Sequence, residues 1–111
     1  MIMSYQDAGG SPKMIRLKTI SHAKPITLGR SEEADVTLDD SGCSRVHAAI
    51  RYWDDIFIIR DMNSSNGTFL NGEKIDVAKL SPGDTVKIGD TEFTFSHEQG
   101  SQSDVTIRAK A

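Results

Sequence analysis

The chain is poor in the features that mark several large classes of protein. It has one cysteine, Cys43, in 111 residues. An internal disulfide scaffold is therefore impossible, a cysteine-based zinc site is disfavoured, and a reducing compartment is the natural setting. Its longest uncharged apolar run, Ile56-Phe57-Ile58-Ile59, falls far short of the roughly 20 residues a spanning helix needs. The opening Met1-Ile2-Met3-Ser4-Tyr5 has neither a basic stretch nor a long apolar one, so no signal peptide is expected. There is no basic surplus: thirteen Lys and Arg face sixteen Asp and Glu, a formal net charge of −3. Broad binding to nucleic acid or to an anionic membrane is disfavoured on that ground, although a small local basic pocket is not. No window of eleven or more residues has a helical period, and no internal repeat stands out. His22 and His97 lack partners at metal-binding spacing.

What is present is short period-two patterning. Ile15 and Leu17 share one face, as do Ile26 and Leu28, Val36 and Leu38, then Ala48, Ile50 and Tyr52. Phe57 and Ile59, Val86 and Ile88, and Phe93 and Phe95 continue the series. Alternation of this kind over short segments predicts half-buried strands. Turn residues punctuate it. Asp54-Asp55, Asn71-Gly72, Ser81-Pro82-Gly83-Asp84 and Gly89-Asp90 suit tight connections in which backbone φ turns positive or is preset by proline. The expectation is an all-β, two-sheet antiparallel β-sandwich occupying residues 13–97. Residues 1–12 read as a flexible N-terminal tail and residues 98–111 as a C-terminal tail or linker.

Three polar clusters lie at expected strand–loop junctions: Gly29-Arg30-Ser31, Ser44-Arg45-Val46-His47, and the run from Asp61 to Gly72. A sandwich presents its chemistry on loops at one edge. If these loops meet, two guanidiniums, two hydroxyls and an amide converge. That set suits a phosphate, because arginine offers forked donors with a permanent charge, and serine hydroxyls and loop N–H groups fill the remaining lone pairs.

The ordered set Gly29-Arg30, Ser44-Arg45-Val46-His47, Asp61-Met62-Asn63-Ser64-Ser65-Asn66-Gly67-Thr68 and Asn71-Gly72 resembles the forkhead-associated (FHA) domain family, over about residues 14–96. The resemblance implies a sandwich of about eleven strands that reads phosphothreonine in partner proteins within Ser/Thr kinase signalling. It implies no catalysis, no cofactor, and a cytoplasmic domain that is monomeric in isolation. By the same resemblance, Arg30 and Ser44 contact the phosphate, Arg45 sits beside it, Ser65 lines the phosphothreonine pocket and Asn66 holds the peptide backbone. Gly29, His47, Gly67 and Asn71 shape the loops. Asn63 departs from the glycine common at its position, and Ser65 from the more common threonine.

Other readings of the same residues remain open. The alternative is a phosphorylation-independent interaction or self-association module that uses a sheet face of the same sandwich. Ser44 and His47 as a hydrolytic pair is disfavoured, since residues three apart on a strand point to opposite faces. Cys43 reads as a spare small residue, and a lowered thiol pKa beside Ser44 and Arg45 is the disfavoured alternative. The acidic residues Glu32, Glu33, Asp35, Asp39 and Asp40 read as a solvated loop face, with repulsion of acidic peptides or selection of basic residues flanking the phosphothreonine as the lesser alternative. Thr106 in the tail is a candidate for self-binding phosphorylation.

Overall fold

A computed structural model describes residues 1–19 and 24–97. It holds eleven strands. In chain order they are β1 (Ile2–Gln6), β2 (Pro12–Arg16), β3 (Ile26–Gly29), β4 (Val36–Thr37), β5 (Ala48–Trp53), β6 (Ile56–Asp61), β7 (Thr68–Leu70), β8 (Glu73–Ile75), β9 (Val77–Leu80), β10 (Thr85–Ile88) and β11 (Thr91–Ser96). The described residues contain no helix. One sheet runs β2-β1-β11-β10-β7-β8 and the other β4-β3-β5-β6-β9. The all-β, two-sheet sandwich expected from the alternation is the architecture observed. Pairing is antiparallel throughout except for a short parallel pair between β3 and β4.

The inward residues are those the patterning selects. Leu28, Ala48, Ile50, Phe57, Ile59, Val86, Ile88, Phe93 and Phe95 are all buried between the sheets. Burying side chains of this size contributes roughly 1.5–3 kcal/mol each, which fixes the register, because a slip of one residue would turn every apolar side chain outward. The two-residue turns also behave as their residues require. Asp54 and Asp55 between β5 and β6, and Asn71 and Gly72 between β7 and β8, all have positive φ, the mirror-image turn that matches strand twist.

The N-terminal tail expectation needs correction. Residues 2–6 form β1, which lies between β2 and β11. Met3 is fully buried, and the Tyr5 ring packs on Phe93 with centroids 4.9 Å apart. The stretch 7–11 is the β1–β2 turn, where the Asp7 carboxylate accepts hydrogen bonds from the N–H groups of Gly9 and Ser11, and Pro12 opens β2. The polarity of Ser4, Gln6 and Asp7 had obscured an alternation of Met1, Met3 and Tyr5. Residues 98–111, Thr106 among them, lie outside the described residues, as does His22.

Candidate functional site

The site begins with the end of β3. Its backbone continues to pair beyond Gly29. Arg30 N–H donates to Ser44 O (2.9 Å), Ser31 N–H to Arg45 O (3.0 Å) and His47 N–H to Leu28 O (2.8 Å). This draws the β3–β4 and β4–β5 loops together. Only glycine permits it, since a Cβ on Gly29 would lie 2.0 Å from Arg45 O. The Arg30 side chain then lies over the β4–β5 loop, its Nε donating to Cys43 O at 3.2 Å. That bond orients the guanidinium and leaves the terminal nitrogens without a hydrogen-bond partner among the described residues.

The β6–β7 loop is folded around Asp61. Its carboxylate accepts from Ser64 N–H (3.1 Å), Ser64 Oγ (2.5 Å) and Thr68 Oγ1 (2.7 Å). Ser64 Oγ in turn accepts from Gly67 N–H at 3.0 Å. Burial opposes ionisation of Asp61 more than any other single influence. The hydrogen bonds from Ser64 and Thr68, with the nearby His47, outweigh it together and hold the carboxyl below its ordinary range. Asn63 stands in this loop at φ 58°. Asparagine tolerates that left-handed conformation better than other non-glycine residues, so the departure from glycine leaves the turn intact.

Three contacts close this loop onto the β4–β5 loop. Ser65 N–H donates to Ser44 Oγ (3.0 Å), Asn66 Nδ2 donates to Gly42 O (2.9 Å), and the His47 ring joins them from below. His47 is fully buried. Its Nδ1 accepts from Ser44 N–H at 2.9 Å, so the ring proton is on Nε2 and is donated to Gly67 O at 2.8 Å. Both nitrogens are thereby committed to the backbone. Ser44 Oγ, turned toward Ser65, keeps its own proton to donate.

The structure therefore brings Arg30, Ser44, Ser65 and Asn66 to one edge, with Gly29, His47 and Gly67 beneath them. Arg45 is exposed there, and neither arginine has a carboxylate at ion-pairing distance among the described residues. Two forked cations, the free Ser65 hydroxyl, the Ser44 hydroxyl and the open Asn66 carbonyl make a cradle for an anion attached to a polar chain. Asn71 is not part of it. It lies at the far end of β7, where its side chain joins Asp84 and Thr85 N–H and fastens the β7–β8 turn to the start of β10.

The Cys43 thiol is not activated, in keeping with its reading as a spare small residue. It is buried, and burial, then the Asp40 carboxylate, push its pKa up to about 11 against the smaller opposing influence of Arg30. The expectation of a solvated acidic face does not hold throughout. The Asp35 carboxylate accepts from Thr27 N–H and Thr27 Oγ1. The Asp40 carboxylate accepts from Gly42 N–H (2.9 Å), Asp90 N–H (2.8 Å) and Thr91 Oγ1 (2.7 Å), tying the β4–β5 loop to the β10–β11 turn. Burial again resists ionisation there, and the bonds from Thr91, Gly42 and Asp90 together prevail and lower the pKa. The one legible signal for this staple was the Asp40-Ser41-Gly42 spacing, a common local turn motif. No group of three or more His, Cys, Asp or Glu among the described residues is disposed to hold a metal ion.

Comparison with known proteins agrees with this geometry. Residues 26–89 match the FHA domain model. The chain is 44% identical over 69 residues to an oxoglutarate dehydrogenase inhibitor of Corynebacterium diphtheriae, covering 62% of this chain and 48% of that one. It spans less than half the length of the curated relatives of this group that it matches. Among solved structures it resembles EmbR of Mycobacterium tuberculosis in complex with a low-affinity phosphopeptide (30% identity, TM-score 0.70, covering 91% of this chain and 26% of that one). It also resembles a structure from a study of phosphothreonine-dependent FHA domain interactions (27% identity, TM-score 0.72, covering 88% and 97%). With the matched segment covering more than half of its residues, the chain belongs to the FHA domain family.

Proposed function

We propose that the chain is a phosphothreonine-dependent protein- and peptide-binding module acting in Ser/Thr kinase signalling, and that the edge built by Arg30, Ser44, Arg45, Ser65 and Asn66 is its binding site. The observation that carries this reading is the convergence of Arg30 and Ser65 on Ser44, with donors left open at all three residues. The reading is supported by the relatives solved with a phosphopeptide or studied for phosphothreonine-dependent interactions.

Phosphorylation adds nearly two negative charges and three strong acceptors. Arg30 meets them with its terminal nitrogens, Ser44 and Ser65 with their hydroxyls, and Arg45 from the exposed flank. Asn66 holds the peptide main chain through its open carbonyl while its amide stays on Gly42. Each bond to the charged group contributes roughly 1.5–3 kcal/mol, and a few together give affinity on the order of micromolar. An unphosphorylated threonine leaves these donors facing water, and that is the source of discrimination. The module binds rather than catalyses: the His47 nitrogens are both bonded to backbone inside the core, and no base among the described residues hydrogen-bonds the Ser44 hydroxyl. The partner is a threonine-phosphorylated protein, met in the cytoplasm. No helix among the described residues is long and apolar enough to cross a membrane.

Calorimetric titration with a phosphothreonine peptide and its unphosphorylated twin tests the assignment. Arg30→Ala is expected to reduce phosphopeptide affinity by about a hundredfold or more, the loss of two charged bonds, with the thermal midpoint unchanged. Undiminished binding by the folded variant would remove Arg30 from the site.

A further inference from the structure

The outward face of the second sheet is unlike the rest of the molecule. Strands β5, β6 and β9 lie side by side there, with Arg51 opposite Ile58 and Ile58 opposite Lys79, and with Ala49 opposite Arg60 and Arg60 opposite Val77. Ala49, Arg51, Trp53, Ile58, Arg60 and Met62 line a groove of about 420 Å³ on this face. Trp53, Met62 and Val77 are large apolar residues left 45%, 42% and 49% exposed. Three cations, Arg51, Arg60 and Lys79, stand among them, and none has a carboxylate within ion-pairing distance among the described residues. The nearest acidic residue in sequence, Asp61, turns its carboxylate to Ser64 and Thr68 in the β6–β7 loop; Asp54, Asp55 and Asp76 belong to turns at the strand ends, and Asp35 is held by Thr27 at the β3–β4 edge. A chain with net charge −3 thus presents one sheet face that is apolar and cationic with no acid between.

We infer that this face docks an acidic polypeptide segment that carries apolar side chains, on a partner protein, at a site separate from the phosphate-binding edge. Charge complementarity selects the partner. Carboxylates spaced along an extended segment meet Arg51, Arg60 and Lys79, while its apolar residues cover Trp53, Ile58 and Met62 and remove them from water. A flat anionic membrane fits less well. It would face the whole acidic molecule across a broad plane, whereas a slender segment meets the cationic strip alone. The strip ends at Met62, whose N–H bonds to His47 O at the foot of the β6–β7 loop. A partner bound at the phosphate edge therefore has this face within reach.

Trp53 is the chain's one tryptophan, so its fluorescence reports this face directly. The probe is an unphosphorylated peptide of repeating Glu-Phe-Glu-Leu units, titrated at low salt. A saturable change in Trp53 emission is expected, weakened about tenfold in the double variant Arg51→Glu, Arg60→Glu and unaltered in Arg30→Ala. That last arm separates this face from the phosphate site. Should the double variant lose its strand signature in circular dichroism, Lys79→Glu on the neighbouring strand provides the same test with a several-fold loss. The inference is overturned by the absence of a saturable change. It is equally overturned by an equal response to a Lys-Phe-Lys-Leu peptide, or by a response to phosphatidylserine vesicles without one to the acidic peptide.

Discussion

Asp61, at the end of β6, and Asp40, in the β4–β5 loop, both accept several hydrogen bonds through their carboxylates, but they work over very different spans of chain. The partners of Asp61 lie three and seven residues away. Two of the partners of Asp40 lie 50 and 51 residues away, in the β10–β11 turn and at the start of β11. The β6–β7 half of the cradle is thus tied within its own segment and needs little more than β6 and β7 to take shape. The β4–β5 half acquires its position only when the two sheets have come together. The site is a local knot pressed against a long-range staple, with Ser44 and Ser65 meeting where the halves touch.

The comparison is broken most completely by separating the halves at their common base. Gly29→Ala places a methyl group on Arg45 O, a clash of backbone with side chain that no rotamer relieves. A loss of about 3 kcal/mol or more in denaturant unfolding is expected, with phosphopeptide binding lost at temperatures where the variant remains folded. Wild-type stability would show that the β3–β4 and β4–β5 loops do not need their close approach.

A smaller effect sharpens the local half. Asp61→Ala strips the acceptor from Thr68 Oγ1, which is fully buried, and from Ser64. Leaving such donors unsatisfied costs about 2–3 kcal/mol. Affinity is expected to fall with stability, because Ser65 and Asn66 sit on the loop that the carboxylate holds. A variant with weakened stability and intact phosphopeptide binding would mean that the loop keeps its shape without the knot.

Acid titration gives the smallest effect. Both carboxyls are lowered in the folded chain, so their contribution is fully present above the ordinary aspartate pKa and is lost as pH falls through the lowered folded values. Stability is expected to be level from neutrality down to about pH 5 and to decline below about pH 4. In Asp40→Asn the decline should be shallower by the share of that one group. An unchanged acid slope would assign the whole effect to Asp61 and the other carboxylates.

The same contrast governs what could be read before the structure. Local chemistry was legible. The alternation of Phe57 and Ile59 placed β6, Asn71-Gly72 announced a turn, and the ordered polar clusters pointed to Arg30, Ser44, Ser65 and Asn66. These are decisions that neighbouring residues make among themselves. In the sequence Asp40 reads as one of several solvated acids, because nothing near it names Thr91 as its partner. Ile2–Gln6 reads as part of a tail, because a strand of mixed polarity gains its stability from β2 and β11, and β11 lies far along the chain. The short parallel pairing of β3 with β4 was equally hidden, since two residues carry no period. Asn71 was legible as a turn residue, but its distance from the cradle depended on the direction in which β7 leaves the site.

The His47 ring has a consequence of another kind. It spans the interval between Ser44 and Gly67 as a rigid rivet, accepting a hydrogen bond at one end and donating one at the other. The proton on Nε2 is sealed from solvent for as long as the two loops remain joined, and it can be exchanged only when they part. The molecule carries its own clock for the opening of the cradle, in a single hydrogen atom that a nitrogen-resolved magnetic resonance spectrum can watch.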